Sequence, residues 1–189
     1  MEFIPLQEFR MQMEVNLFGQ LALTQACMPM VRKGSGRIIF ISSTAGRLVG
    51  AFNGPYSISK AGLISLSDAL RLELSPWHIP VSVLIVGSVQ TPIWEKTMRR
   101  AGEISRTLPP ESWKLYGSMQ KNAAKFYSRL GQAGMHVDNV TRVIQHLLEA
   151  AHPRAYILVG RDAVLYELIS KLFPIRFRDW FMRQGIGKS

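Results

Sequence analysis

The stretch Gly54-Pro55-Tyr56-Ser57-Ile58-Ser59-Lys60-Ala61-Gly62 sets a tyrosine and a lysine four residues apart, just after a loop. Ala61, Ile64, Leu66, Ala69, Leu70, Leu72 and Leu74 follow at helical spacing, which predicts a helix from Tyr56 to about Trp77. Residues i and i+4 share a helix face, so the phenol and the ammonium emerge together. Alone the pair says little. The chain holds five tyrosines in 189 residues, and an exposed helix pair would look the same. The flanking sequence has to decide.

Upstream, RIIFIS (Arg37 to Ser42) is a continuous apolar run, suited to a strand buried on both faces in a parallel sheet. It leads into Ser43-Thr44-Ala45-Gly46, and Tyr56 follows Ser43 after a loop. Downstream, Pro80 opens a second such run, VSVLIV (Val81 to Val86), closed by Gly87. Phe9, Met13, Leu17, Leu21, Thr24 and Met28 predict a helix over 6–31. Residues 92–134 are more polar, contain Pro109-Pro110, and read as short helices forming a lid insertion. Val140, Val143, Ile144, Leu147 and Leu148 predict one face of a helix over 137–151. AYILVG (Ala155 to Gly160) reads as a third strand, and Asp162 as the cap of a last helix broken at Pro174. Buried strands alternating with helices predict an α/β fold, a parallel sheet flanked by helices, although three strands make a small sheet.

Composition narrows the function. Hydrophobic residues at 47% and charged residues at 19% fit a globular chain. No apolar run is long enough to span a bilayer, and the start of the chain lacks the basic leader of a secretory signal. A single cysteine, Cys27, excludes an intramolecular disulfide and reads as a small buried hydrophobe. The four histidines have no metal-site spacing, so no metal is expected. The net charge of +10 suggests nucleic acid, but the cations are scattered and no nucleic-acid-binding motif occurs, so none is expected.

Four motifs occur in order: Val15-Asn16-Leu17-Phe18-Gly19, Ser43 after a strand, Tyr56-x-x-x-Lys60, and Val86-Gly87-Ser88-Val89-Gln90-Thr91. Together they resemble the short-chain dehydrogenase/reductase family, NAD(P)-dependent oxidoreductases on a Rossmann fold, over nearly the whole chain. The resemblance implies Ser43, Tyr56 and Lys60 as a catalytic triad and Asn16 as a fourth member anchoring a relay water. Its chemistry moves a hydride between a carbinol carbon and nicotinamide while a proton moves at the oxygen. A free phenol has a pKa near 10, so a neighbouring ammonium is expected to lower it. Ser43 would hydrogen-bond the substrate oxygen. Tyr56 and Lys60 would also touch the cofactor, with Gly87 admitting it closely and Val89 and Thr91 meeting the carboxamide. Asn16 equally suits a polar residue satisfying backbone groups at a helix bend, and Thr91-Pro92 a helix N-terminus.

The chain departs from the family pattern in three places. Val86 stands where the family usually has proline, which suggests a shifted loop. The Gly-rich turn after the first strand is absent, as is the Asn-Ala-Gly segment after the fourth. The sequence is therefore expected to be the C-terminal two-thirds of such a fold, a single partial domain over 1–189. NAD versus NADP is not legible, and the chain alone is expected to be poorly soluble or to bind NAD(P)H negligibly.

GRLVGAFNGPYSISKAGLISLSDALRLELSPW resembles the retinol and hydroxysteroid branch. The lid residues Trp94, Met98, Trp113, Tyr116, Met119, Phe126 and Tyr127 suit either a bulky apolar alcohol or ketone or the lid's own core. The tail, 162–184, is basic, aromatic and amphipathic, and suits an anionic membrane, its own domain or a sister subunit. The resemblance implies homo-oligomers through the helices at 6–31 and 56–77, and a cytoplasmic enzyme with peripheral membrane contact left open. Two functions stand: an alcohol–carbonyl oxidoreductase, or a non-catalytic fragment that at most associates with partner chains.

Overall fold

The computed structural model describes residues 1–184. Three parallel strands, β1 (Ile38–Ser43), β2 (Val81–Val86) and β3 (Tyr156–Val159), form one sheet in the order β1-β2-β3. Phe40 lies opposite Val83, and Ile85 opposite Leu158. β2 is central and buried at every residue. Its alternation splits the core in two. Val81, Val83 and Ile85 join Phe40, Leu63, Ile64, Leu74 and Ile79 on one face. Leu84 and Val86 join Val140, Leu147 and Val159 on the other. The result is the helix–sheet–helix layering predicted from the alternating pattern.

The first face is covered by α3 (Gly54–Glu73) and by a long helix in two parts, α1 (Leu6–Met13) and α2 (Gly19–Lys33). Between these lies a π-helical turn, Glu14–Phe18, in which the Gly19 N–H reaches back to the Glu14 carbonyl. The 6–31 periodicity did not foretell this interruption, because apolar spacing alone cannot show one extra residue in a turn. The second face is covered by α6 (Val137–Glu149), whose last carbonyls, Leu147 and Ala150, accept from the Arg37 guanidinium, the latter at 2.7 Å. That contact pins the C-terminal end of α6 beside the start of β1. Leu148 is exposed rather than on the buried face expected for it, and the packed face is carried by Val140, Val143, Ile144 and Leu147.

Residues 92–134 form two long helices rather than short ones: α4 (Ile93–Thr107) and α5 (Pro110–Gln132), which start after Pro92 and Pro109. After β3 come α7 (Arg161–Leu172) and α8 (Ile175–Arg183), separated at Phe173-Pro174 as the proline predicted. Lys188 of the basic tail lies outside the described residues.

Two further expectations are corrected. β1 is not buried on both faces, since Ile41 is 47% exposed at the free edge of the sheet. Cys27 is half-buried rather than buried. Leu84 is fully buried in the central strand, so Leu84→Ala should cost about 2–5 kcal/mol in urea unfolding. A loss under ~1 kcal/mol would show that the site collapses around the missing atoms.

Candidate active site

The site is assembled where β1 ends. Parallel strands point their C-terminal ends the same way, and ligands of such sheets bind there. Ser43 closes β1, caps a short 3-10 turn (Thr44–Gly46), and its hydroxyl accepts from the Ala45 N–H at 3.2 Å. That turn lies against α3 with no room to spare. A Cβ at Gly46 would sit 2.8–2.9 Å from backbone atoms of Lys60 and Ala61. The Ser42 hydroxyl donates to the Lys60 carbonyl at 2.9 Å, tying the same two elements. Glycine at 46 therefore lets the strand end touch the helix turn that carries Tyr56 and Lys60.

α3 starts two residues before the tyrosine, with Pro55 in its first turn. Tyr56 and Lys60 share a face as the spacing predicted, and the ammonium lies 5.7 Å from the phenol ring centroid. Burial pushes the Tyr56 phenol up, and a hydrogen bond with the Ser43 side chain pulls it partly back. Burial pushes the Lys60 ammonium down. The expected lowering of Tyr56 by Lys60 is thus not the state of this chain by itself, because burial is the largest influence on the phenol. The ammonium is also engaged elsewhere, donating to the Ile41 carbonyl at 2.9 Å. The Ile38 N–H bonds the Pro80 carbonyl, so by parallel alternation Ile41 points its own groups away from β2, toward the free edge.

Asn16 lies in the π turn, and its amide donates to the Ser59 hydroxyl at 3.1 Å. Ser59 in turn donates to the Tyr56 carbonyl at 2.7 Å. Leu17 reaches Gly62, where a Cβ would come within 2.9 Å of it. The π turn thus ties Asn16 to the first turns of α3. The structure brings Asn16, Ser43, Tyr56 and Lys60 onto one junction of α3, β1 and the π turn.

The segment Gly87–Thr91 leaves β2 at the same end of the sheet. Here a residue read only as a helix cap does more. Asp162, the second residue of α7 rather than its N-cap, accepts from the Ser88 N–H at 2.6 Å and from the Ala163 N–H at 3.0 Å. Its carboxylate occupies the space over Gly87, 2.0 Å from where a Cβ would be. The glycine expected to admit a cofactor therefore makes room for Asp162. Gly134 presses on Ser88 and Val89 from the other side, and the backbones of Met135 and Ser88–Gln90 exchange hydrogen bonds. The signal for Asp162 was one strand away in sequence, in the Gly160-Arg161-Asp162 turn after β3. Val89 and Thr91 are half-exposed at this segment, and the Val89 carbonyl is taken by the Trp94 indole at 2.8 Å. Thr91 is not a helix cap, since α4 starts after Pro92.

The aromatics of 92–134 pack both within that segment and against the rest of the chain. Trp94 lies over Gly131, and Tyr116 meets Phe3 and Phe52 edge-on. Tyr127 donates to the Ala51 carbonyl at 3.0 Å and fills the space a side chain at Gly50 would need. No group of residues able to hold a metal occurs among the described residues.

The fold and the site together define a Rossmann-like protein carrying a serine–tyrosine–lysine cluster at the ends of its strands. The sequence pattern of the short chain dehydrogenases matches residues 1–102, which include all four clustered residues and Gly87–Thr91. The chain is 33% identical to 3-amino-tetrahydro-pyrrolizinone reductase of Xenorhabdus hominickii over 97% of its own length and 66% of that protein. It is 31% identical to human 17-beta-hydroxysteroid dehydrogenase type 2, over 99% of its length and 50% of the relative, and 32% identical to mouse retinol dehydrogenase 16, over 92% and 56%. Among solved structures, a short-chain dehydrogenase from Streptomyces avermitilis superposes with a TM-score of 0.68 at 24% identity, covering 97% of this chain and 63% of that one. One from Burkholderia cenocepacia in complex with NADP superposes at 0.64 and 20%, covering 97% and 61%. The chain belongs to the short-chain dehydrogenase family. It spans about half to two-thirds of the length of these relatives.

Asp162→Ala leaves the Ser88 N–H without its acceptor and should lower stability by about 1–3 kcal/mol, with faster hydrogen exchange at the Ser88 amide. Unchanged exchange there would remove Asp162 from the site. Burial holds Tyr127 up at about 12, above the 10.0 of an exposed phenol. Below pH 10 both folded and unfolded chains keep that proton. From 10.0 to about 12 the unfolded chain loses it first, so stability falls as pH rises through this window. Tyr127→Phe should show a shallower fall in urea midpoints over that range.

Proposed function

We propose that this chain carries the catalytic end of an NAD(P)-dependent oxidoreductase that interconverts an alcohol with a ketone or aldehyde. The observation that carries the reading is the shared face of Tyr56 and Lys60 on α3, packed directly against the end of β1 that carries Ser43. NAD or NADP, when bound, supplies the hydride acceptor or donor. The donor set fits its nicotinamide end: a phenol, an ammonium and a hydroxyl converge, and the 87–91 segment is clamped alongside by Asp162. Tyr56, held above its ordinary pKa, keeps its proton at neutral pH and is ready to give it to a carbonyl oxygen. Ser43 orients that oxygen. Lys60 would offer its ammonium to a ribose hydroxyl, and Asn16 braces the turn that carries Tyr56. Val89 and Thr91 would hold the nicotinamide side, while Gly87 gives its space to the Asp162 carboxylate.

The substrate class we favour is a bulky apolar alcohol or ketone. Support comes from the relatives named for hydroxysteroids and retinol, more than from the aromatics of 92–134, several of which are taken up by contacts within the protein. A second reading, in which this chain alone binds no cofactor and associates with partner chains, is favoured by one observation. The Lys60 ammonium is taken up by the Ile41 carbonyl at the free edge of β1.

NAD(P)H fluorescence titration separates the two readings. Micromolar binding followed by turnover supports the enzyme, and Tyr56→Phe should then cut turnover by about two to four orders of magnitude with binding largely kept. Absence of binding up to millimolar cofactor supports the second reading. Preference for a short sugar alcohol over a sterol or retinoid would sink the apolar substrate.

A further inference from the structure

We propose that the outward face of α7 and α8 docks onto an anionic lipid surface. At 100° per residue, Arg161, Val164, Leu165, Leu168, Lys171 and Leu172 share about a third of the circumference of α7. All of them are exposed, Leu172 to 71%. The patch continues across the Pro174 break. Phe173 stacks on Phe177 at 4.4 Å between centroids, Phe177 leans on Trp180 at 5.4 Å, and Ile175 and Trp180 stand clear of the protein. The Arg178 guanidinium donates to the Ser170 carbonyl at 3.1 Å and braces α8 against α7, so the two helices present one surface. The exposed leucines of α7 and the Phe173–Phe177–Trp180 cluster leave large apolar side chains uncovered on both helices, which is unusual unless something covers them.

The charges on the face choose the occupant. Two of the three acids of α7 and α8 turn inward. Asp162 is held by the Ser88 and Ala163 amides, and Glu167 is buried against Arg47 at 3.3 Å and Lys171 at 2.8 Å. Asp179 alone faces outward, against Arg161, Arg176 and Arg183, with Lys171 tied to Glu167. Leucines and stacked aromatics rimmed by cations match the acyl–headgroup boundary of a bilayer with negative lipids. A second copy of the chain would set the same cations against one another. No helix among the described residues is long and apolar enough to cross a membrane, so this contact lies on the surface.

Flotation on a density gradient tests this, because aggregated protein sinks while lipid-bound protein rises. The chain should float with phosphatidylcholine vesicles containing phosphatidylserine, much less with phosphatidylcholine alone, and less as salt is raised. Leu168→Glu with Leu172→Glu should reduce flotation at least about tenfold. Arg176→Glu with Arg183→Glu should remove the phosphatidylserine preference, about fivefold or more per cation. Circular dichroism checks that both variants keep their helices. Failure of the wild type to float at low salt overturns the proposal, as does equal flotation of wild type and the leucine variant. So does a wild-type dimer that the leucine variant dissolves without any lipid binding.

Discussion

Nothing in the site would meet if Gly46 carried a side chain. The turn after β1 rests directly on the backbone of Lys60 and Ala61, closer than any Cβ permits. This contact sets the distance between Ser43 on the strand and Tyr56 on the helix. The remaining links are built on it: Ser42 to the Lys60 carbonyl, Ser59 to the Tyr56 carbonyl, and Asn16 to Ser59. Buried serines of α3, Ser57, Ser59 and Ser67, keep that helix slim enough to sit on its neighbours. Close approach bought with small residues, rather than a large apolar contact, positions the reactive groups.

The three strands were legible because continuous apolar runs rich in valine, isoleucine and leucine look like little else between turn residues. VSVLIV was read to its true ends for that reason. The Tyr56/Lys60 face was legible from spacing alone. Other features were not, because they depend on contacts across the fold. Ile41 reads as core but lies on a free edge, Leu148 reads as part of a stripe but faces out, and Asp162 reads as a cap but holds the turn after β2. Leu148 sits at the limit of an apolar arc, where tertiary packing decides. Asp162 has a partner 74 residues away, beyond any local pattern.

The electrostatics show how far the environment departs from residue type. A phenol and an ammonium drawn together by helix geometry would be expected to stabilise each other's charges. Here burial disfavours both charged forms, moving the phenol up and the ammonium down. A phenol that keeps its proton is the condition a proton donor would need, and a positive charge brought beside it would shift that balance.

The π turn at Glu14–Phe18 has a consequence for how this chain tolerates change. One extra residue in that turn rotates everything after it by roughly the angle of a single helical step. Deleting any one residue there would let α1 and α2 fuse into a continuous helix. Met28 and Val31 would then swing off the core, and Asn16 would lose Ser59. Substitutions in this segment act on one side chain at a time, whereas a single-codon deletion acts as a dial, turning a whole helix against the sheet.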